Sequence, residues 1–454
     1  MLNLLSRLES SGISLQKYQP FVWGVNGAVF YASKHAQKLA FLKMPTIEEV
    51  FTGFEGKRLA NALSSFPIHV TLSSPIVEVI PIEQLNFPTA TYDPRFLLSM
   101  FYHFLSGHAI IMCHKFIDYG ALSYTIAALS SFCPRIRELA YQVLHRLHHH
   151  LECANYPQDR QLWTGLIEHI RSGLTEANQR IESVHTVFLV RAIEVLLKPL
   201  SPLFSSVRQF IISRQLRPYN YRSLPMFYRI CLHLVSTSNM QTYAAFHKFA
   251  LSWINDGLRS AADVRLCHRK GVFSDLLLLY NSPLCAAENR TLIMQVLTTL
   301  AQLPEGVQVL CFDCAIFAWL KHQLMSVPAI DVSQSTKKSL LYSLVSTLWE
   351  TVYRVHLKKE EAAMASSGDS GEESPVATER YIFYRAFGYE LIDVLGRIVY
   401  KSTEKRRVDR YVEVCDTVLQ NTSNELTCFQ IKQNICYNLP AQLETMLSAS
   451  NGGK

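Results

Sequence analysis

The chain has little glycine, little proline and few charged residues. It contains 18 of each of the first two among 454 residues, and 18% of its residues are charged, below the roughly 25% of an average soluble protein. Scarce glycine and proline leave few positions for linkers. The hydrophobic content of 49% is too high for disorder along most of the length. The composition therefore excludes a largely disordered protein and predicts one continuous, extended core.

Targeting segments are also lacking in the sequence. Residues Met1 to Gly12 contain no apolar run of signal-peptide length, because Arg7 and Glu9 interrupt it. The longest uncharged hydrophobic stretch, Phe96 to His114, includes three histidines and a glycine, which favours a buried helix and a loop over a membrane span. The 11 cysteines are scattered, mostly within apolar helical patterns. We therefore predict neither secretion nor membrane insertion, and a reducing compartment.

Catalytic and cofactor-binding motifs are absent as well. The sequence has no dinucleotide-binding or nucleoside-triphosphate glycine loop, no HExxH zinc motif, no GxSxG nucleophile turn and no EF-hand loop. Its acidic residues occur singly or in one solvated segment, where nothing perturbs their acid-base behaviour. The sequence therefore predicts a protein that is not an enzyme and that carries no cofactor.

Two groups of potential metal ligands have the wrong spacing for a site. The pair Cys311 and Cys314 has no second CxxC or histidine pair at zinc-finger distance, which favours core cysteines. His145 and His149 lie one helical turn apart, but Cys153 is about 12 Å along the helix axis from His145, too far to share one ion. We interpret the histidine run as a solvated helix end and predict no metal site.

The strongest signal in the sequence is repeated helical periodicity. In residues 244–259 the apolar side chains of Phe246, Phe249, Trp253 and Ile254 recur at the spacing of one helix face, and similar stripes recur between proline breakers. A stack of helix pairs can extend its core one repeat at a time, whereas a single core stops growing at about 250 to 300 residues. The prediction is an all-α, degenerate HEAT or armadillo-like α-solenoid. No clean repeat of about 40 to 47 residues is visible, so a compact multi-helix domain is the alternative.

Two segments depart from the helical pattern. Residues 66–94 contain five prolines and a β-branched run, which predicts an extended crossing between helical blocks. Residues 360–378 are small, polar and acidic, which predicts a disordered insertion. Within it, Ser366, Ser370 and Ser374 precede acidic residues or a proline and are candidate phosphorylation sites.

Basic residues cluster in three places. The third, which contains Lys401, Lys405, Arg406, Arg407 and Arg410, is offset by Glu404 and Asp409, and the candidate nucleic-acid-binding residues come from the first two. Four arginines occur without an acid in residues 204–223, and two tyrosines lie among them. Arginine binds phosphate bidentately, and tyrosine can stack on unpaired bases. A second group is diluted by Asp263 and also contains Arg259 and His268. The candidate nucleic-acid-binding residues are Arg208, Arg214, Arg217, Tyr219, Tyr221, Arg222, Arg265, Arg269 and Lys270. A solvated helix face is the alternative for either cluster, since the net charge of +7 does not demand a polyanion.

Several longer runs resemble a known family. These runs are LPMFY at residues 224–228, FHKF at 246–249, LSWINDGLRS at 251–260 and DVRLCHRKGVFSDLLLLYNSPL at 263–284, preceded by YDPRFLL at 92–98. They are similar to the C-terminal region of the large nucleolar pre-ribosomal-associated protein family, the Urb/Npa type. The resemblance extends over about residues 92–325.

The resemblance implies an armadillo-type helical protein of the nucleus and nucleolus that acts in early assembly of the large ribosomal subunit. It also implies pre-60S assembly factors as partners, including a DEAD-box RNA helicase, with pre-ribosomal RNA as a further candidate. The family offers no catalytic motif to carry over. Members are several times longer than this chain.

These observations give three expected segments and three functional hypotheses. The segments are residues 1–91 with the proline-rich crossing, 92–325 with the family-like motifs, and 326–454 with the acidic insertion. The first hypothesis, which we favour, is a non-catalytic scaffold for large-subunit assembly and pre-rRNA processing. The second is a HEAT-type adaptor in transport or trafficking that binds proteins only. The third is a metal-dependent enzyme built on the histidine run at residues 145–150.

Overall fold

The structure is a computed structural model that describes eleven parts of the chain. They are residue 11 and residues 56–72, 92–105, 112–153, 157–213, 219–227, 240–283, 285–325, 337–352, 375–399 and 405–420. Within these parts the regular structure is α-helical apart from one π-helical turn, and no described residue is in a strand. The all-α prediction is therefore confirmed.

The chain divides into two compact units, residues 1–167 and 168–454, rather than one continuous core. The limited growth of a single hydrophobic core accounts for such a division in a chain of this length. This boundary differs from the limits of the three segments expected from the sequence. Those segments follow the family-like motifs, and they stay a prediction.

The described residues of unit 1 form six helices, the last of which crosses the unit boundary. They are α1 (Gly56–Ser64), α2 (Pro94–Phe104), α3 (Cys113–Asp118), α4 (Ala121–Ala128), α5 (Pro134–Glu152) and α6 (Pro157–Ser172). Helix α5 packs against α2 and α4, and α4 also contacts α1 and α3. Proline at the first helical position of α2 and α5 presets the backbone for a helix start.

Unit 2 continues with further helices and the π-helical turn. They are α7 (Ser183–Leu196), α8 (Phe204–Ser213), α9 (Met240–Gly257), α10 (Ala261–Arg269), α11 (Val272–Asn281), α12 (Ala287–Ala301), α13 (Pro304–Gln308), the π turn Val309–Asp313, α14 (Ile316–Met325), α15 (residues 337–352), α16 (Pro375–Val399) and α17 (Lys405–Gln420).

Packing in unit 2 runs from neighbour to neighbour. Helix α7 packs on α9, and α9 packs on α12, while α10 contacts α11 and α13. Further along, α14 contacts α16, and α16 packs on α17. Contacts therefore join helices that are close in sequence, which is how a helical repeat protein builds its core.

Two expectations about irregular segments fall partly outside the described residues. The start of the proline-rich crossing, residues 66–72, is irregular as expected, whereas residues 73–91 lie outside the described parts. The expected acidic insertion is too long at its end, because helix α16 already begins at Pro375, where proline suits the first turn of a helix. Residues 360–374, including the three candidate phosphorylation serines, lie outside the described parts.

The stretch from Phe96 to His114 contains parts of two short helices, α2 and α3, with residues 106–111 outside the described parts. Among the helices that the structure describes, none is both long and apolar enough to cross a membrane.

The apolar stripe of α9 lies in the core of unit 2. The side chains of Phe246, Trp253 and Ile254 are buried, and Phe249 is half-buried. The indole of Trp253 is 1% exposed, and its ring centroid lies 5.7 Å from that of Phe188 on α7 in an edge-to-face arrangement. Trp253 therefore joins α7 to α9.

Replacing Trp253 with alanine is expected to lower the free energy of unfolding by about 3 to 5 kcal/mol, because a large buried ring is removed and a cavity stays behind. Chemical denaturation of the purified chain measures this change. Lys248→Ala, on the exposed side of the same helix, is the control and should change stability by less than about 0.5 kcal/mol. Equal stability of the Trp253→Ala and wild-type proteins would contradict the core assignment.

Candidate nucleic-acid interface

The second basic cluster lies on the exposed side of helix α10. The side chains of Arg265, Arg269 and Lys270 are all exposed, and the first two are four residues apart, so they share one helix face about 6 Å apart along the axis. The helix ends at Arg269 and is capped by Lys270, because Gly271 follows with a φ of 71°, a left-handed conformation that glycine adopts without strain. Arg265, Arg269 and Lys270 are therefore three cations in the last turns of one helix.

Two described acids interact with residues at this end of α10. Burial raises the pKa of Glu182, and the positive charge of Arg269 partly opposes that rise, so Glu182 is near Arg269. Asp313, in the π turn, lies 3.4 Å from His268 of α10. The Nε of Arg269 donates a hydrogen bond to the carbonyl oxygen of Arg265 at 3.2 Å. The end of α10 therefore presents three exposed cations with acids beside them.

A buried carboxylate fixes the start of α10. The Ser260 side chain caps α10, because its hydroxyl accepts the backbone N–H of Asp263 at 3.5 Å, and the same hydroxyl donates to Asp263 Oδ2 at 2.6 Å. The other carboxylate oxygen, Oδ1, accepts the backbone N–H of Val184 at 3.1 Å. Since Val184 is in the first turn of α7, the Asp263 carboxylate links the cap of α10 to the start of α7.

Burial disfavours the charged form of the Asp263 carboxylate. Desolvation raises the pKa of Asp263, and the hydrogen bonds from Ser260 and from the backbone N–H of Val184 offset part of that rise. The nearby positive charge of Arg180 offsets a further part. The carboxylate is therefore held in place by donors from two chain segments and by a cation four residues before Val184, and α10 is fixed relative to α7.

The end of α9 meets the start of α7 without a side chain between them. A Cβ added at Gly257 would lie 2.7 Å from Val184 Cα, closer than two carbons can approach. Only glycine fits at this point, because any side chain would push the two backbones apart. The glycine in the run LSWINDGLRS therefore permits the contact that brings Asp263 within reach of Val184.

An ion pair reinforces the same corner. Arg191 Nη2 on α7 lies 2.6 Å from Asp256 Oδ2 at the end of α9. The Nε of Arg259 donates to the Asp256 carbonyl oxygen at 2.7 Å, and burial lowers the pKa of Arg259 to about 10. Arg259, which the sequence grouped with the exposed basic residues, is thus part of the support and not of the surface.

The first basic cluster is only partly described. Arg208 on α8 and Arg222 in the irregular residues 219–227 are exposed. Arg214 and Arg217 lie outside the described residues. The structure therefore shows two exposed arginines on separate elements, and it brings them into no single constellation.

The two tyrosines of this cluster are buried, which corrects the role expected for them. Tyr219 is 4% exposed and Tyr221 is 9% exposed, so neither ring can stack on an RNA base. The hydroxyl of Tyr221 donates to the Ile170 carbonyl oxygen at 2.8 Å. Their sequence position among arginines suggested exposure, but their rings fill the space between α6 and α7.

The buried partner of both tyrosines is His185 on α7. Its Nε2 donates to the Tyr221 carbonyl oxygen at 2.8 Å, and its Nδ1 accepts from the Tyr219 hydroxyl, with the two atoms 2.9 Å apart. A carbonyl oxygen only accepts, so these contacts fix the neutral tautomer with hydrogen on Nε2. Desolvation lowers the pKa of His185 to about 4, in agreement with a neutral ring.

The candidate metal ligands lie apart. His145, His149 and Cys153 are exposed along α5 and just after it, and Cys311 and Cys314 are half-buried at the π turn. Burial raises the pKa of the Cys311 thiol to about 12. Across the described parts of the chain, no three histidine, cysteine, aspartate or glutamate side chains converge as metal ligands.

Sequence reasoning missed the residues that hold the surface in place. Asp263 entered only as an acid that dilutes a basic cluster, and His185 was not singled out. The pattern Ser260-x-x-Asp263 was a readable signal, because it is the spacing of a capping box. Nothing in the sequence could identify Val184 as the distant donor.

Comparison with known proteins relates the chain to one family. Residues 122–319 match the family model described as Nucleolar pre-ribosomal-associated protein 1. The mouse protein of that name is 26% identical over 357 residues, which are 77% of this chain and 15% of the mouse protein. The human protein is 26% identical over 354 residues, with the same two shares. The family resemblance is confirmed, and the chain spans about 15% of the length of these relatives.

The solved structures that match this chain include the crystal structure of an engineered protein, which is 13% identical and covers 78% of this chain and 97% of that one at a TM-score of 0.24.

Replacing Gly257 with alanine is expected to destabilise the chain by about 1 to 3 kcal/mol, because the added Cβ must displace the backbone of α7. The gain of about 1 kcal/mol from better helix propensity should not offset this loss at the last residue of α9. Ser252→Ala, on the same helix, is the matched control. Denaturant unfolding measures both variants, and a stabilised Gly257→Ala protein would contradict the close approach.

Acid is expected to weaken the fold through His185. Its folded pKa of about 4 lies below the unfolded value of about 6.5, so the unfolded chain binds the proton more strongly and stability falls as the pH drops through that window. Between pH 7 and pH 5 the loss is about 2 kcal/mol for this group. Urea unfolding of the wild-type and His185→Gln proteins at both pH values isolates the contribution of His185. The contributions of all other groups cancel when the two pH-dependent changes in unfolding free energy are subtracted. An equal pH dependence in the two proteins would rule out a buried neutral His185.

Proposed function

We propose that this chain, which is related to the nucleolar pre-ribosomal-associated protein 1 family through residues 122–319, is a non-catalytic helical-repeat scaffold in early nucleolar assembly of the large ribosomal subunit and in pre-rRNA processing. The observation that carries the proposal is the position of the family match. It includes both basic clusters and the buried corner that supports α10.

The arrangement of α10 supports a binding role. Arg265, Arg269 and Lys270 are exposed on one short, doubly anchored helix, so their positions are set before any partner arrives. Preorganised cations lose less conformational entropy on binding than cations on a flexible segment. Guanidinium groups also match phosphate oxygens in a bidentate manner. A polyanion such as pre-ribosomal RNA is the partner that this surface fits.

The proposal extends to location and to protein partners. We place the chain in the nucleolus of the nucleus, and we propose pre-60S assembly factors, including a DEAD-box RNA helicase, as proteins that it holds together. The chain would bind these partners and hold them in position, and any catalytic step would be carried out by the partners. The competing hypothesis is an adaptor for transport or trafficking that binds proteins only.

Reversing the three cations of α10 is expected to weaken RNA binding and to reduce its salt dependence. The variant Arg265→Glu, Arg269→Glu, Lys270→Glu should flatten the plot of log affinity against log salt by about 0.7 to 0.9 for each phosphate that is no longer bound. Fluorescence anisotropy with a labelled pre-rRNA fragment, measured at several salt concentrations, gives this slope.

The control carries the same change in charge at another place. The variant Arg135→Glu, Arg160→Glu, Lys248→Glu alters three exposed cations outside both clusters and should leave the slope close to wild type.

A third variant, Arg208→Glu, Arg214→Glu, Arg217→Glu, Arg222→Glu, tests the first cluster. If both cluster variants bind RNA as the control does and are recovered equally with pre-ribosomal particles, the protein-only adaptor is the better hypothesis.

A further inference from the structure

An exposed phenylalanine lies beside the basic end of α10. Phe312 is 60% exposed and belongs to the π turn Val309–Asp313, which continues directly from α13. Single exposed apolar side chains are common on protein surfaces, so it is the position of Phe312 beside the three cations that suggests a use. π turns inside helices often occur at functional sites.

Two contacts place this turn next to the cations. Helix α13 packs against α10, and Asp313, which follows Phe312, lies 3.4 Å from His268 Nε2. His268 immediately precedes Arg269 and Lys270. The aromatic ring and the three cations are therefore presented by neighbouring elements of the same unit.

The backbone of the π turn explains why the ring points outward. Leu310 is fully buried, and the Cys314 N–H donates to the Val309 carbonyl oxygen at 3.1 Å, a bond that spans five residues in place of four. One extra residue per turn moves the following side chains out of the apolar stripe. Ala315 then ends the turn with a φ of 48°. Exposure of Phe312 is thus built into the turn.

We propose that Phe312 and the basic end of α10 form one site for single-stranded RNA, in which the ring stacks on an unpaired base and Arg265, Arg269 and Lys270 bind the neighbouring phosphates. This inference rests on the proposed function and specifies the form of RNA that the surface takes. Stacking on aromatic rings combined with a positively charged path is how proteins hold single strands. Phe312 takes the stacking role that the sequence suggested for the buried Tyr219 and Tyr221.

The exposed cations favour an anionic occupant. Arg265, Arg269 and Lys270 are all exposed, so an acidic polymer gains from contact with them. Asp313 faces His268, and Glu182 lies near Arg180 and Arg269. The ring adds a contact that depends on an unpaired base and not on charge.

Replacing Phe312 with alanine is expected to weaken binding of single-stranded RNA by about 5- to 150-fold, the range for removal of one stacking partner. The probe is an oligouridine of about 20 nucleotides, longer than the roughly 4 to 16 nucleotides that a compact single-strand-binding fold covers. The salt slope should stay that of wild type, because every phosphate stays bound. Binding of an RNA duplex of the same length should change by less than about twofold, since its bases are not free to stack.

Two further substitutions separate stacking from simple apolar contact. Phe312→Trp should keep the affinity for oligouridine, whereas Phe312→Leu should weaken it as the alanine variant does. Leu278→Ala removes another exposed apolar side chain, on α11, and serves as the matched control with unchanged affinity. Circular dichroism of each variant checks that the fold is kept.

The outcomes distinguish this inference from the proposed function. Normal oligouridine binding by Phe312→Ala, together with weak binding by the α10 charge reversal, overturns the stacking site and leaves the RNA-binding scaffold standing. Wild-type affinity in both variants overturns both ideas. If particles recovered with the Phe312→Ala variant lack a protein that wild type recovers, and the variant binds RNA normally, the stacking site is also overturned. That result would assign Phe312 to a protein contact. Equal weakening for single strand and duplex overturns it as well.

Discussion

The buried carboxylate of Asp263 is the interaction on which the arrangement of unit 2 depends. It receives the hydroxyl of Ser260 and the backbone N–H of Val184, so it satisfies donors at the starts of two helices, and its bond to Val184 spans 79 residues of sequence. Unpaired N–H groups at a buried helix start are costly. Removing this side chain would leave the Val184 N–H and the Ser260 hydroxyl without this acceptor and would free α10 to shift relative to α7.

The packing at Gly257 makes this long-range cap possible. Because no side chain separates the end of α9 from the start of α7, the chain can turn at once into α10 with its capping carboxylate directed at α7. The pair Arg191 and Asp256 holds the same two helices together. The backbone that carries the exposed cations of α10 is consequently fixed to α7 and α9 by buried contacts, and the run LSWINDGLRS supplies the glycine and the aspartate that make this packing possible.

Helical periodicity is a local signal, so the stripe that contains Trp253 identified a core face correctly from the sequence. The buried tyrosines could not be predicted in this way, because their partner His185 lies 34 and 36 residues earlier in the chain. The cations of the candidate site could be identified from the sequence. The sequence did not show that Arg259 is half-buried while Arg265 is exposed. Phe312 carries no local signal, since its exposure follows from a π turn that periodicity does not detect.

Burial acts on the two central titratable groups in opposite directions. Desolvation raises the pKa of Asp263 and lowers that of His185, so each is driven toward its neutral form. Between the unfolded and folded values, protonation favours the folded state at Asp263 and the unfolded state at His185. The two contributions therefore have opposite signs, and the desolvation that accompanies burial of this corner does not act on its stability in one direction only as the pH falls.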